Sequence, residues 1–382
     1  MKKSMKNKIA PVFLCLVILI IFSLTACSGI EKQTEKAVTD KATGDTFMVT
    51  DMLGRQVEIP VNASSYVSIG PGSLRLYCYV ADTSQLAGVE AIEVTGDTSG
   101  RPYVHVQPDL QKLPLIGSGG PDNTPDAEAL LMAKPDVIFT MYVDDAYGVD
   151  KLQQKINIPV VALSYGEAAV FDPAIDQSIE LIGKVTKNEE RAASVINYFA
   201  SLKSDLKTRT EAVAEHEKPT AYVGGLGMRG SHGIESTDGA FPLFECINAS
   251  NVVTEAGINA YVMLDKEKIL EMDPEYIFID GSGLPLLLKD YQADSSFYQG
   301  LTAFSKGKVY MHLPYNYYHT NLEVAISDAY YMGTILYPEL FKDVDIEEKY
   351  HEIVSTLLGA SDYEQMKQEY YGGYQQINVL NK

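Results

Sequence analysis

From Phe47 onward the chain alternates short apolar runs with longer stretches in which apolar residues recur every three or four positions, the signature of strands and amphipathic helices in turn. Met48 to Pro60 reads as a hairpin turning at Leu53-Gly54. Strands are predicted at 67–69, 86–89, 115–116, 137–140 and 160–163, and, after Lys218-Pro219, at 220–224, 251–253, 276–280 and 309–311. Between the two groups, Asp172-Pro173 is an N-cap followed by a proline suited to the first helical position, and Ile175, Ile179, Ile182 and Val185 follow at helical spacing. A second start at Asn188-Glu-Glu leads into Ala192, Val195, Ile196, Phe199, Leu202 and Leu206 on one face. About 25 helical residues span roughly 37 Å, enough to cross from one group of strands to the other. From Asp345 the pattern is of terminal helices, ending in a Tyr- and Gln-rich tail.

One segment occurs twice. Glu128-Ala-Leu-Leu-Met-Ala-Lys-Pro135-Asp136-Val-Ile-Phe139 returns as Glu267-Lys-Ile-Leu-Glu-Met-Asp-Pro274-Glu275-Tyr-Ile-Phe278. In each copy a glutamate opens a short helix, a proline stops it and a buried strand follows. The separation is far beyond solenoid periods, so the repeat predicts two similar α/β lobes, with each glutamate at the same place on its own lobe. Helix-dipole preference alone explains a single glutamate at such a position. Two copies in register make that explanation weaker.

The first 26 residues carry Lys2, Lys3, Lys6 and Lys8, an apolar run over 9–22, and then Leu24-Thr25-Ala26-Cys27. This is a signal peptide ending in a lipobox, with Cys27 as the acylated first residue of the mature protein. The run is shorter than the roughly 20 residues of a spanning helix, and the folded part is expected outside the cytoplasm, tied to the outer face of a membrane by lipid. Residues 28–45 are polar and read as a tether. The chain has a net charge of −20, and losing a leader with four lysines and no acid leaves −24, which argues against nucleic acid as a partner. Tryptophan is absent and tyrosine numbers 25, so aromatic recognition falls to Tyr and Phe. Cys78 and Cys246 lie one in each half; the sequence leaves open whether they pair, and both are read as small buried apolar residues.

The opening Val49-Thr-Asp-Met-Leu-Gly-Arg-Gln-Val57, the two Glu-to-Pro segments and the stretch Ile179-Glu-Leu-Ile-Gly183-Lys-Val-Thr-Lys-Asn-Glu-Glu190 resemble lipoprotein substrate-binding components of ABC importers, of the class that carries iron–siderophore complexes, haem and cobalamin. The resemblance implies two Rossmann-like α/β lobes joined by a long helix, a ligand cleft between them, and a glutamate on each lobe docking on arginines of the permease. Glu128 and Glu267 match those positions. It implies as partners a permease with its ATPase and a small metal chelate, most naturally ferric, with no enzyme activity and no resident cofactor. The implied division is a signal peptide over 1–26, a tether over 27–46, an N-terminal lobe over 47–170, a connecting helical segment over 171–216, a C-terminal lobe over 217–344 and terminal helices over 345–382. Closure about the connecting helix, stabilised by ligand, presents both glutamates together.

Ligands of open parallel sheets gather outside the carboxyl ends of strands, so the candidate contacts lie in the following loops. In the first half these are Ser73 and Arg75 of Gly70-Pro-Gly-Ser-Leu-Arg, Arg101 and Tyr103, and Tyr142 and Tyr147, with the loop Gly117-Ser-Gly-Gly120 at the same edge. In the second half they are Met228, Arg229 and His232 of a glycine-rich loop, and Tyr315, Tyr317, Tyr318 and His319. Gly225, Gly227 and Gly230 satisfy G-x-G-x-x-G, but Gly233 and Gly239 keep the segment in loop, which excludes a dinucleotide site. The six histidines show no metal-ligand spacing, so a bare metal site is not expected and a chelated metal or an oxyanion such as molybdate fits better. Haem and cobalamin are alternatives as cargo. A surface receptor or adhesin, or an exported enzyme, remains an alternative function, although no G-x-S-x-G elbow is present.

Overall fold

The computed structural model describes residues 44–121, 123–142, 145–167 and 170–378. Cys27, the apolar run before it and nearly all of the tether lie outside the described residues. A hairpin of β1 (Thr46–Thr50) and β2 (Gln56–Pro60) opens the fold, closed by a turn in which the Asp51 carboxylate accepts from the Leu53 and Arg55 amides.

The N-terminal sheet is built from β3 (Tyr66–Ile69), β4 (Val137–Thr140) and β5 (Val160–Ala162), all parallel and all buried. Uninterrupted apolar runs are what a parallel sheet covered on both faces requires. The stretches predicted as strands at 86–89 and 115–116 extend it only through single bridges, Tyr66 to Leu86 and Val89 to Leu115. The C-terminal sheet runs in the order β12 (Gln375–Gln376), β11 (Val309–His312), β10 (Tyr276–Asp280), β6 (Thr220–Gly224), β8 (Ser250–Asn251), with only β12 antiparallel. A small antiparallel pair, β7 (Ser236–Asp238) and β9 (Tyr261–Met263), lies beside it. Of the predicted strand at 251–253 only Asn251 belongs to β8; Val252 opens helix Val252–Glu255, because the Asn251 carboxamide accepts from the Val253 amide and caps it.

Two helices connect the sheets. Pro173–Thr186 is capped by Asp172, whose carboxylate accepts from the Ala174 amide at 2.8 Å, and Glu189–Thr210 follows over 22 residues, about 33 Å. The second packs on helix Ser73–Val80 at one end and on helix Pro242–Cys246 at the other. After β11 the chain returns through helix Leu322–Leu336, buried along nearly its whole length, to helices Ile346–Leu358 and Tyr363–Glu369. These helices share a core with both sheets: Tyr66 and Phe139 from one side, Ala221 and Phe278 from the other, and Ile326, Tyr330 and Tyr350 between them belong to one cluster. Cys78 and Cys246 are unpaired.

Candidate functional site

The loops leaving the carboxyl ends of the two sheets meet at one hairpin, the segment Asn316 to Thr320 after β11. Its tip holds Tyr318 at φ 47° and His319 at φ 81°, two consecutive non-glycine residues in left-handed backbone. Asn-Gly or Asp-Gly is the usual occupant of such a turn, and each misplaced side chain costs on the order of 1–3 kcal/mol. The cost is met by contacts across the cleft. The Tyr318 hydroxyl donates to Glu90 Oε2 at 3.0 Å, accepts from the Gly120 amide at 3.0 Å and lies 3.0 Å from the Tyr142 hydroxyl, which itself donates to Glu90 Oε1. The His319 ring stacks on Tyr165 with centroids 4.0 Å apart.

Protonation at this tip follows from its partners. The Thr320 amide donates to His319 Nδ1 at 2.9 Å, so that nitrogen is an acceptor and the proton sits on Nε2. Burial, reinforced by the Arg75 charge, pushes the imidazole down to about 4, so it is neutral at physiological pH and offers Nε2–H as a donor. Burial raises Tyr142 and Tyr318 well above the ordinary phenol range, with Glu90 adding to it, so both stay protonated. Burial also raises the Glu90 carboxyl, against the hydrogen bonds from Tyr142, Gly70 and Tyr318. At the tip both phenols stay protonated and donate to Glu90, while the neutral imidazole offers Nε2–H beside aromatic faces. Beside it opens a cavity of about 590 Å³ lined by Ile92, Ser99, Ser118, Tyr317 and Tyr370 among others.

The two arginines singled out in the sequence are placed differently from a ligand clamp. Arg75 is fully buried and spends its donors inside the protein: Nε on Asn321 Oδ1 (2.7 Å), Nη1 on the Thr320 carbonyl (2.9 Å) and the Tyr165 hydroxyl (3.3 Å), Nη2 on the Tyr317 carbonyl (2.8 Å). It fastens the hairpin from beneath. Burial alone would lower its pKa, but Tyr165, Tyr103, Tyr79 and Glu323 hold it firmly charged. Arg101, also fully buried, donates to the carbonyls of Ile92, Glu93 and Asp97, and its guanidinium lies 3.8 Å from the centroid of the Tyr317 ring. Carbonyl acceptors and a ring face fix this cation inside the lobe, where neither a ligand nor a surface carboxylate reaches it.

Of the other expected contacts, Ser73 is buried and its hydroxyl pairs with Ser68 at 2.9 Å, Tyr103 is buried and donates to Glu93, and Tyr315 packs against Phe241 and His312 in the core. These three serve the fold. Tyr147 is exposed, with the Lys151 ammonium 4.6 Å from its ring centroid. Met228, Arg229 and His232 stand on the exposed loop after β6, where His232 Nε2 lies 2.8 Å from the Met228 carbonyl. That loop depends on Gly225, at φ 77°, and on Gly283: a Cβ on Gly283 would lie 2.5 Å from Gly225 Cα. The structure thus brings together Tyr142, Tyr317, Tyr318 and His319, and adds Glu90 and Tyr165, which sequence reasoning passed over. Glu90 follows the run 86–89 directly, so the strand-end rule already pointed to it.

Glu128 and Glu267 are both exposed, each at the second position of a seven-residue helix, Ala127–Ala133 and Lys266–Met272. Both helices end on a non-glycine residue in left-handed backbone, Lys134 at φ 50° and Asp273 at φ 38°. Among the described residues neither glutamate takes part in an ion pair, whereas the nearby Lys266 and Lys268 pair with Asp290 and Glu271. No three His, Cys, Asp or Glu side chains converge as a metal site among the described residues.

Residues 80–314 match the profile of the family described as periplasmic binding protein. The chain belongs to that family. It is a binding protein rather than an enzyme. A molybdate-binding protein of Haemophilus influenzae is 24% identical over 323 residues, covering 79% of this chain and 88% of the relative. The molybdate-bound structure of that kind from the same organism superposes with a TM-score of 0.63 at 21% identity, covering 83% of this chain and 99% of the other. A TroA-like periplasmic binding protein from Veillonella parvula gives 0.63 at 23% identity, over 82% and 97% of the two chains. A Helicobacter pylori protein solved with Ni(II) bound gives 0.58 at 17%, over 83% and 98%. At these identities the structural likeness speaks for the fold.

Proposed function

We propose that this protein is the substrate-binding component of an ABC importer, capturing an oxygen-rich metal chelate, most naturally a ferric siderophore, at the hairpin between its lobes. The observation that carries the reading is the Tyr318-His319 tip. Two strained residues are held where the carboxyl ends of both sheets meet, presenting aromatic faces, hydroxyls and an imidazole N–H rather than charges. The adjoining cavity of about 590 Å³ lies within the roughly 300–1,000 Å³ typical of sites for organic ligands. Tyr142, Tyr317, Tyr318 and His319 grip the organic shell, and the exposed loop bearing Met228, Arg229 and His232 is the second lobe's candidate contribution.

A second reading is an oxyanion such as molybdate. The similarity to the molybdate-binding protein of Haemophilus influenzae favours it, and so does the donor character of His319 Nε2. Against it stands the internal use of Arg75 and Arg101.

Export, acylation at Cys27 and delivery to a permease complete the proposal, with Glu128 and Glu267 as the carboxylates that dock on its cations. A thermal-shift screen against ferric siderophores, haem, cobalamin, molybdate, Zn²⁺ and Mn²⁺ tests it. Stabilisation by one chelate supports the first reading and stabilisation by molybdate the second. Stabilisation by bare Zn²⁺ or Mn²⁺ alone would overturn both.

A further inference from the structure

The two copies of the repeat agree beyond their glutamates. Position by position, Glu128 and Glu267 are exposed, Leu130 and Ile269 buried, Leu131 and Leu270 exposed, and Pro135 and Pro274 buried before the strand. Leu131 is 44% exposed and Leu270 36%, although the solvent face of a short surface helix ordinarily carries polar residues. Each leucine lies three residues after its glutamate, so the two side chains are neighbours on one helix face. A single exposed leucine is unremarkable. The same carboxylate–leucine pair, its glutamate outside any ion pair among the described residues and its leucine more than a third exposed, at equivalent places on two lobes is a repeated device.

The lobes differ at the next position. Met132, 82% exposed, enlarges the apolar patch on the first lobe, whereas the second has Glu271, paired with Lys268 at 2.8 Å.

Resting on the docking reading above, we infer that each lobe meets the permease through a two-point contact. The glutamate engages a cation, and the leucine one turn later enters an apolar hollow beside it. The carboxylate gives long-range attraction and register, and desolvation of the leucine strengthens the ion pair by excluding water. The occupant is a membrane-protein face bearing two such cation-plus-hollow sites, which fits a strongly acidic binding protein. Met132 against Glu271 makes the sites unequal, so a partner with two matching halves binds this protein more tightly through the first lobe.

The test measures equilibrium binding of the full chain to its cognate permease–ATPase complex in lipid nanodiscs. Four variants are compared: Leu131→Ser/Leu270→Ser, Met132→Ser, Glu271→Ser, and Glu128→Ala/Glu267→Ala. All positions are exposed, and unchanged melting temperatures confirm the fold. The inference expects the leucine pair to weaken binding at least tenfold, and Met132→Ser to weaken it more than Glu271→Ser does. Leucine variants that bind within twofold of the parent overturn it, whatever the glutamates do. The glutamate pair then judges the docking reading separately, which falls if binding and uptake are unaffected by its loss.

Discussion

Arg75 is the residue on which the site rests, because among the described residues it is the cation that joins helix Ser73–Val80 to the backbone of the Tyr317–Asn321 turn. Removing a buried partner of this kind strands the Thr320 and Tyr317 carbonyls and leaves Glu93 and Glu323 without their compensating charge. Such losses cost about 3–5 kcal/mol. Arg75→Met is therefore expected to lower unfolding free energy by about that amount in denaturant titration, and a loss under about 1 kcal/mol would show that the hairpin stands without it. The role was illegible in the sequence for a plain reason. The hairpin partners of Arg75 lie more than 240 residues downstream, and only the closed fold brings them within reach. Arg101 misled in the same way, its acceptors being backbone carbonyls that no pattern of side chains reveals. Tyr142, Tyr317, Tyr318 and His319 were legible because strand ends could be counted from the apolar runs. The two positive φ angles were not, since Tyr-His gives none of the glycine or asparagine signal that marks such turns.

At the scale of elements, apolar periodicity located β3, β4, β6, β10 and β11 and both connecting helices, as continuous burial demands. It failed at 252–253, where a β-branched Val-Val run followed a residue able to cap a helix. It also failed at 86–89 and 115–116, where an edge position leaves only single bridges. The hairpin after β11 has a consequence for motion. Tyr318 is bonded to Gly120 and Glu90, and Asn321 Nδ2 donates to the Gly100 carbonyl at 2.9 Å. A segment of the second lobe is thus stitched into the first by buried and half-buried bonds, and a wide swing about the connecting helices would break all of them. Cargo is expected to be admitted by local movement of the tip. Small-angle scattering should give a radius of gyration near about 20 Å that changes by less than roughly 1 Å on loading. A contraction of several ångströms would establish hinge closure instead.

For the whole molecule, the shared core that unites both sheets with the terminal helices carries an unusual number of buried acids. Burial raises Glu90, Glu93, Glu323, Asp280 and Asp328 above the ordinary carboxylate range, Glu93 to about 7 and Asp328 to about 6. His105 and His312 are raised as well: burial opposes this, but Asp362 and Asp328 hydrogen-bond to them and prevail. For every one of these groups the folded state holds protons that the unfolded chain has released, so stability falls as pH rises through the window between the unfolded and folded values. The net charge of −20 acts in the same direction, since acidification relieves self-repulsion. The raised groups outnumber His319, which is held at about 4 and acts the opposite way below the ordinary histidine value, so the melting temperature is expected to fall from about pH 5 to about pH 7.5, with Glu93→Gln flattening the slope. A melting temperature that climbs across that range would show that these acids are ionised and paired in the fold.

The central claim is that cargo is held at the Tyr318-His319 tip, and isothermal titration of the screened ligand into the parent protein and into His319→Gly tests it most directly. Glycine accepts φ 81° without strain, so the fold should survive while the Nε2–H donor and the ring face are lost. The account predicts affinity lowered by about tenfold or more with little change in melting temperature, matching loss of a ligand hydrogen bond and a stacking surface. Equal affinity in the two proteins would place the cargo elsewhere and contradict the site assigned to it.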